Sequence, residues 1–155
     1  MCLSSAMNVG HPSNLPRIIA LYGGMMNEAG VIYKDPDLGK MQEDMFGVSV
    51  SDEDTRLTIA GIYSAQNILL EPHGAVAWRG ITEYLRLKKS FNPDKQLFIS
   101  LETAHPAKFP EELRQIINVD LPIPDSLTGL SEKPEKYFSL DNDYDMLKDF
   151  ILKYY

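Results

Sequence analysis

Residues 97–101 read Leu-Phe-Ile-Ser-Leu, and four of the five are apolar. A strand with one wet face alternates apolar and polar side chains; this run does not. The pattern predicts a strand covered on both faces, with other elements layered on either side of it. A chain of 155 residues is long enough to build such a core as one domain. The run then stops at Glu102 and Thr103, followed by His105, Pro106, Lys108 and Pro110. In open α/β sheets, ligands sit just beyond the carboxyl ends of the strands.

The rest of the chain supplies the layers. Residues 13–30 predict a helix, with Ser13 as N-cap, Pro16 in the first turn and Gly30 at the C-terminal cap. Residues 31–50 contain turn chemistry in Tyr-Lys-Asp-Pro-Asp-Leu-Gly-Lys and a short strand candidate at 46–50. Ser51 and Asp54 resemble a capping box opening a second helix over 52–65, with Leu57, Ala60, Ile62 and Tyr63 as its apolar surface. Residues 67–71 predict a second short strand, and 74–87 a third helix that is apolar nearly all round and therefore buried. A short helix over 110–118 follows, with proline and two glutamates at its start. Residues 119–140, rich in proline and polar residues, predict a surface connection, and 141–154 a terminal helix. The order of helices and strands predicts an α/β fold, with few buried strands flanked by helices.

Composition excludes several function classes. The net charge of −7 disfavours nonspecific binding to nucleic acid or anionic membrane. Arg86, Lys88 and Lys89 read as a solvated helix end. A single cysteine, Cys2, builds neither a disulfide framework nor a thiolate metal cage, which points to a reducing compartment. No run reaches the ~18 apolar residues of a membrane span. The N-terminus lacks a secretory signal. The expected location is the cytoplasm. His11, His73 and His105 fall in no zinc-binding frame, so no metal is expected. Serine-hydrolase elbows and glycine-rich phosphate loops are also missing from the sequence.

Two polar clusters remain. One is Glu71-Pro72-His73-Gly74; the other runs from Glu102 to Lys108. If their strands are parallel neighbours, both clusters lie on one edge, and the third helix points its free N–H groups there. Taken singly, each residue has a plainer reading. Glu71 can neutralise a helix start, His73 or His105 can be a hydrogen-bonded turn residue, Thr103 can cap a turn, and Lys108 can be a surface charge.

The stretches Leu-Ser-Ser-Ala-Met-Asn-Val-Gly-His-Pro-Ser-Asn-Leu-Pro-Arg (3–17), Ser-Val-Ser-Asp-Glu-Asp-Thr (49–55), Leu-Glu-Pro-His-Gly-Ala-Val-Ala-Trp-Arg-Gly-Ile (70–81) and Glu-Thr-Ala-His-Pro-Ala-Lys-Phe-Pro-Glu-Glu-Leu (102–113) carry a resemblance. Together they resemble the C-terminal part of threonine synthase, of the longer-chain bacterial and fungal type. The resemblance implies a pyridoxal-phosphate enzyme of the tryptophan-synthase-β group (fold type II). It implies a carbon–oxygen lyase acting on phosphates, which turns O-phospho-L-homoserine and water into L-threonine and phosphate. The chain is then a single C-terminal segment, 1–155, of a larger enzyme domain, and its partner is the remaining N-terminal part.

The resemblance also assigns residues. Thr103 matches the hydroxyl that meets the pyridine nitrogen of the cofactor. Glu71 and His73 match the turn bordering the cofactor ring; His105 and Lys108 belong to the Thr103 loop, His105 beside the cofactor and Lys108 shaping the site. Ser5, Ala6, Met7 and Asn8 match a loop facing cofactor and substrate, although Ser5 stands where asparagine is common and Asn8 where aspartate is common. The Schiff-base lysine and the cup for the cofactor phosphate lie upstream of the matched region, so no catalytic residue is assigned here. These 155 residues are therefore expected to be inactive alone and not to bind the cofactor covalently. The competing reading is a noncatalytic relative that serves as an interaction or regulatory module.

Overall fold

A computed structural model of the chain describes residues 2–5, 8, 13–88, 92 and 95–155. It divides into two compact units, Met1–Pro122 and Ile123–Tyr155.

The first helix, α1, spans Leu15–Leu21 and is far shorter than its apolar periodicity predicts. Gly23 ends it in a left-handed conformation (φ +78°). Gly24 then passes so close to its surroundings that a Cβ would lie 2.7 Å from Ile19 Cγ2 and 2.8 Å from the Pro36 nitrogen. Only glycine allows that approach. The chain leaves the helix into a small antiparallel hairpin, β1 (Met25–Met26) and β2 (Ile32–Lys34). Gly30, expected to cap a helix, instead takes the left-handed position of the hairpin turn, closed by the Val31 N–H on Asn27 Oδ1 at 2.9 Å. A helix the sequence reading missed, α2 (Leu38–Asp44), follows; Asp37 caps it by accepting the Lys40 N–H.

α3 runs over Asp52–Gln66. Ser51 Oγ accepts the Asp54 N–H at 3.0 Å and donates to Asp54 Oδ2 at 2.7 Å. The box thus closes between side chains rather than onto the Ser51 backbone. Ser51→Ala is expected to cost about 1 kcal/mol, read as a lowered urea midpoint with an unchanged slope. The buried face of α3 is Thr55, Thr58 and Ile59, while Leu57 is exposed, which corrects the expected stripe. The threonines can be buried because their hydroxyls donate back to the Ser51 and Asp54 carbonyls at 2.8 and 2.7 Å. Neither threonine hydroxyl is left unpaired.

α4 spans Pro72–Leu87 and packs on α3. Arg79 ties the two, reaching Asp54 at 3.2 Å and Glu83 at 3.0 Å. Its N-terminus is buried at Pro72, Gly74 and Ala75; Val76, Trp78, Ile81 and Tyr84 are half-buried, less covered than a wholly apolar helix predicts. α5 (Pro110–Ile117) closes the core against α3, where Ile59, Leu70, Ala75 and Leu113 meet.

None of the three predicted strands forms. Residues 46–50, 67–71 and 97–101 lie outside any sheet, and the only sheet among the described residues is the β1–β2 hairpin. Leu97, Ile99 and Leu101 are 85, 70 and 69% exposed, while Phe98 and Ser100 are half-buried. One face of this run is covered and the other is open. A strand needs a neighbour for its N–H and C=O groups, and among the described residues nothing pairs with it as one. Instead of buried strands flanked by helices, these residues form a mostly helical layer with one small hairpin.

In the second unit, 3-10 turns at Asp125–Leu127 and Leu130–Glu132 precede α6, Tyr144–Tyr154. Asp143 caps α6 through the Met146 N–H at 2.9 Å. Phe138, Phe150 and Tyr154 form a ring cluster, with Phe150 centred 5.0 Å from Phe138 and 4.8 Å from Tyr154. No helix among the described residues is long and apolar enough to cross a membrane.

Candidate functional site

Glu71 is fully buried and sits at the N-cap of α4. Its Oε1 accepts the Gly74 N–H at 2.8 Å. Its Oε2 accepts the His73 N–H at 2.8 Å and lies 2.5 Å from His73 Nδ1. An ionised carboxylate is acceptor-only, so three donors converge on it and His73 Nδ1 carries its proton. The helix start was expected to offer free N–H groups to a ligand. The Glu71 carboxylate already occupies them, so this end of α4 is not an anion site.

The second loop docks on the first. Glu102 Oε1 accepts the Glu71 N–H at 2.6 Å. The same carboxyl lies over Gly74, where a Cβ would come within 2.9 Å of Glu102 Cδ and Oε2. The ring of Phe109 packs on the ring of His73, centroids 5.5 Å apart. Glu102 as a residue is exposed, but its carboxyl is seated on α4. Partial burial pushes its pKa up, and the charge of Glu71 adds to the rise; the Glu71 N–H and the nearby His105 oppose it. His73 Nε2 is buried and has no partner among the described residues. Its side chain is only 8% exposed, so an unpaired nitrogen there is costly.

The remaining candidates fall as follows. Thr103 is exposed, one residue beyond the seated Glu102, and its hydroxyl makes no hydrogen bond among the described residues. His105 opens the 3-10 turn Pro106–Lys108, its Nδ1 accepting the Ala107 N–H at 3.1 Å. With Nδ1 an acceptor, any proton on a neutral His105 ring is on Nε2. Lys108 is exposed. Ser5 and Asn8 are exposed on a loop tied elsewhere: the Leu3 N–H reaches Asp52 at the start of α3, and Asn8 Nδ2 donates to Cys2 Sγ at 3.2 Å. Ala6 and Met7 lie outside the described residues. The structure therefore brings together Glu71, His73 and the 102–109 loop. Among the described residues no bond joins Ser5 or Asn8 to them.

The sequence reading gave Glu102, Gly74 and Phe109 no role in joining the loops. A usable signal was present in Gly74: a glycine in the first turn of a helix marks close approach by another group. Among the described residues no group of three or more His, Cys, Asp or Glu side chains could hold a metal ion. A cavity of about 510 Å³ lies apart from this site, between α1 and α2, lined by Tyr22, Asp37, Lys40 and Asp44. The Tyr22 hydroxyl donates to Asp44 there at 3.1 Å.

The family described as threonine synthase, C-terminal, matches residues 76–151. A threonine synthase of Haemophilus influenzae is 31% identical over 151 residues, 97% of this chain and 31% of its own length. The crystal structure of threonine synthase from Escherichia coli superimposes with a TM-score of 0.72 at 28% identity, covering 99% of this chain and 31% of that one. A PLP-bound threonine synthase from Brucella melitensis gives 0.68 at 22% identity, covering 97% of this chain and 34% of that one, and so supports the fold alone. The chain spans about a third of the length of the curated relatives it matches.

Proposed function

The chain belongs to the threonine synthase family, whose C-terminal part it matches, and from that premise we propose that it forms one wall of a pyridoxal-phosphate lyase making L-threonine and phosphate from O-phospho-L-homoserine and water. In this reading residues 1–155 are one C-terminal segment of the enzyme domain, with 119–140 as its surface connection, working in the cytoplasm. The polypeptide that supplies the other two-thirds of a relative's length is the partner. Family membership supports a fold of the tryptophan-synthase-β type, in which the open face of 97–101 pairs with strands of that partner.

The observation that carries the proposal is the Glu71–Glu102 hydrogen bond. It sets side by side the two loops that the resemblance assigns to the cofactor. The residues fit one edge of a planar ring and not its phosphate: the α4 N-terminus is filled by Glu71, while the Thr103 hydroxyl has no partner among the described residues. Thr103 would meet the ring nitrogen, with Glu71, His73 and His105 bordering the ring and Lys108 shaping the loop. The cofactor, when bound, would supply an electron sink for the electron pairs left behind as protons leave the substrate. A neutral hydroxyl at the ring nitrogen does not hold a proton there as a carboxylate would, so Thr103 moderates that sink. Glu71 keeps His73 in one tautomer and orientation. Phe109 shuts water from the His73 ring. Ser5, Ala6, Met7 and Asn8 would belong to the loop that faces cofactor and substrate.

The anchoring lysine is not among these residues in the family's context, so neither part should react alone. The chain is mixed with a polypeptide covering the upstream two-thirds of a relative, pyridoxal phosphate and O-phospho-L-homoserine, and phosphate release is followed. Expected is release by the mixture and none by either part. Release by the 155 residues alone, or a pyridoxyl group fixed on one of their lysines by borohydride, would contradict the assignment. A mixture that binds the cofactor yet releases no phosphate would favour the noncatalytic module.

A further inference from the structure

The carboxyl of Glu102 is held on two sides. The Glu71 N–H donates to Oε1 at 2.6 Å, and the bare Cα of Gly74 leaves the space that Cδ and Oε2 occupy. A buried helix N-terminus is a rigid platform, and Glu71, Pro72, Gly74 and Ala75 are all buried. Thr103, by contrast, is exposed and has no hydrogen bond of its own among the described residues. Whatever fixes its hydroxyl in space must act through the adjoining chain. Downstream, the nearest tie to α4 is the Phe109–His73 ring contact, six residues on. Upstream, the nearest tie to α4 is the Phe98–Tyr84 ring contact, centroids 6.0 Å apart and five residues back, and no ladder among the described residues holds 97–101. The side chain of Glu102, one residue away, is the nearest tether.

We infer that Glu102 is a positioning residue, whose carboxylate, clasped between the Glu71 N–H and the Cβ-free face of Gly74, fixes where the Thr103 hydroxyl stands. The inference rests on the proposed role of Thr103 at the cofactor ring. Its distinctive consequence concerns Gly74. Alanine at 74 suits the helix better than glycine, and the atom it displaces is the far end of a flexible side chain. Gly74→Ala should therefore break the clasp while leaving α4 as stable as before or more so. The groups facing the Glu102 carboxyl are Glu71, which raises its pKa, and His105, which lowers it; His73 lies behind Glu71. With the balance upward from 4.5, the clasp should weaken on acidification before ordinary glutamates titrate. A carboxyl whose folded pKa is raised favours folding in its protonated form. The associated stability is present at low pH and lost as pH rises through the raised value. The ionised clasp at neutral pH thus positions Thr103 at some expense of stability.

The test uses NMR on the 155-residue chain and its Glu102→Gln, Glu102→Ala and Gly74→Ala variants. Glutamine retains an acceptor oxygen and should retain the clasp. Expected for Glu102→Ala and Gly74→Ala is a tenfold or greater loss of exchange protection at the Glu71 amide and a Thr103 backbone order parameter falling below about 0.6. The melting temperature of Gly74→Ala should not fall. In the wild type the Glu71 amide proton shift should titrate with Glu102; in Glu102→Gln that titration should vanish. A Thr103 that stays as ordered in Glu102→Ala as in the wild type overturns the inference, as does a Glu102→Gln indistinguishable from Glu102→Ala. These readouts need no cofactor, so they stand apart from the mixing experiment: a working clasp with no phosphate release would sink the functional reading and leave the positioning role intact.

Discussion

Glu71→Ala is expected to cost the folded chain about 3–5 kcal/mol, because it strands several buried hydrogen-bonding groups at about 1–3 kcal/mol each. The carboxylate is fully buried and takes three hydrogen bonds, from the Gly74 and His73 amides and from His73 Nδ1. Removing it strands two amide donors at the start of α4 and leaves an imidazole that already has one unpaired nitrogen with neither paired. A lost cap alone would cost about 1 kcal/mol. The larger figure comes from burial: water cannot reach these groups to compensate. Domains of this size are stable by roughly 5–15 kcal/mol, so the variant should lose about a fifth or more of its stability. Glu71→Gln, which keeps one acceptor oxygen, should fall between. Urea unfolding followed by far-ultraviolet circular dichroism gives the difference directly. A loss below about 1 kcal/mol would mean that solvent reaches the cap and that the pair is not sealed under Phe109.

Thr103→Val should do the reverse. Thr103 is exposed and its hydroxyl has no partner among the described residues, so the melting temperature should hardly change. Under the proposed function the same hydroxyl meets the cofactor nitrogen. Losing one hydrogen bond between neutral groups costs about 0.5–1.5 kcal/mol, or a roughly 2- to 10-fold fall in threonine formation by the assembled enzyme. The two readouts are steady-state turnover in the mixture and thermal unfolding of the chain. Equal losses in both would make Thr103 a turn cap and nothing more.

The helices were legible where their signals are local. Ser51 before Asp54 opened α3, Pro72 sits in the first turn of α4, and Pro110 with two glutamates started α5. Each of these depends on residues within four positions of one another. The α1 error has the opposite cause. Apolar spacing through Met25 and Met26 read as one long helix, but the close packing of Gly24 on Ile19, Lys34 and Pro36 turned the chain back instead. The buried face of α3 was misread because threonine looks polar until its hydroxyl is seen bonded to its own helix.

Residues 97–101 show the boundary most clearly. Their composition asks for cover on both faces, and the described residues provide it on one. Hydrophobicity is written into a segment; a ladder is a relation between two segments. By itself the sequence determined the order of four of the helices, several of their caps, the two polar clusters and the family resemblance. Only tertiary structure decided that the clusters touch, and that they do so through a Glu71 amide on Glu102 over a bare Gly74. That contact joins residues some thirty positions apart, and its existence depends on the missing Cβ of one residue and the burial of another. The missing Cβ is written in the sequence; the burial of Glu71 and the approach of Glu102 to that bare Cα are not.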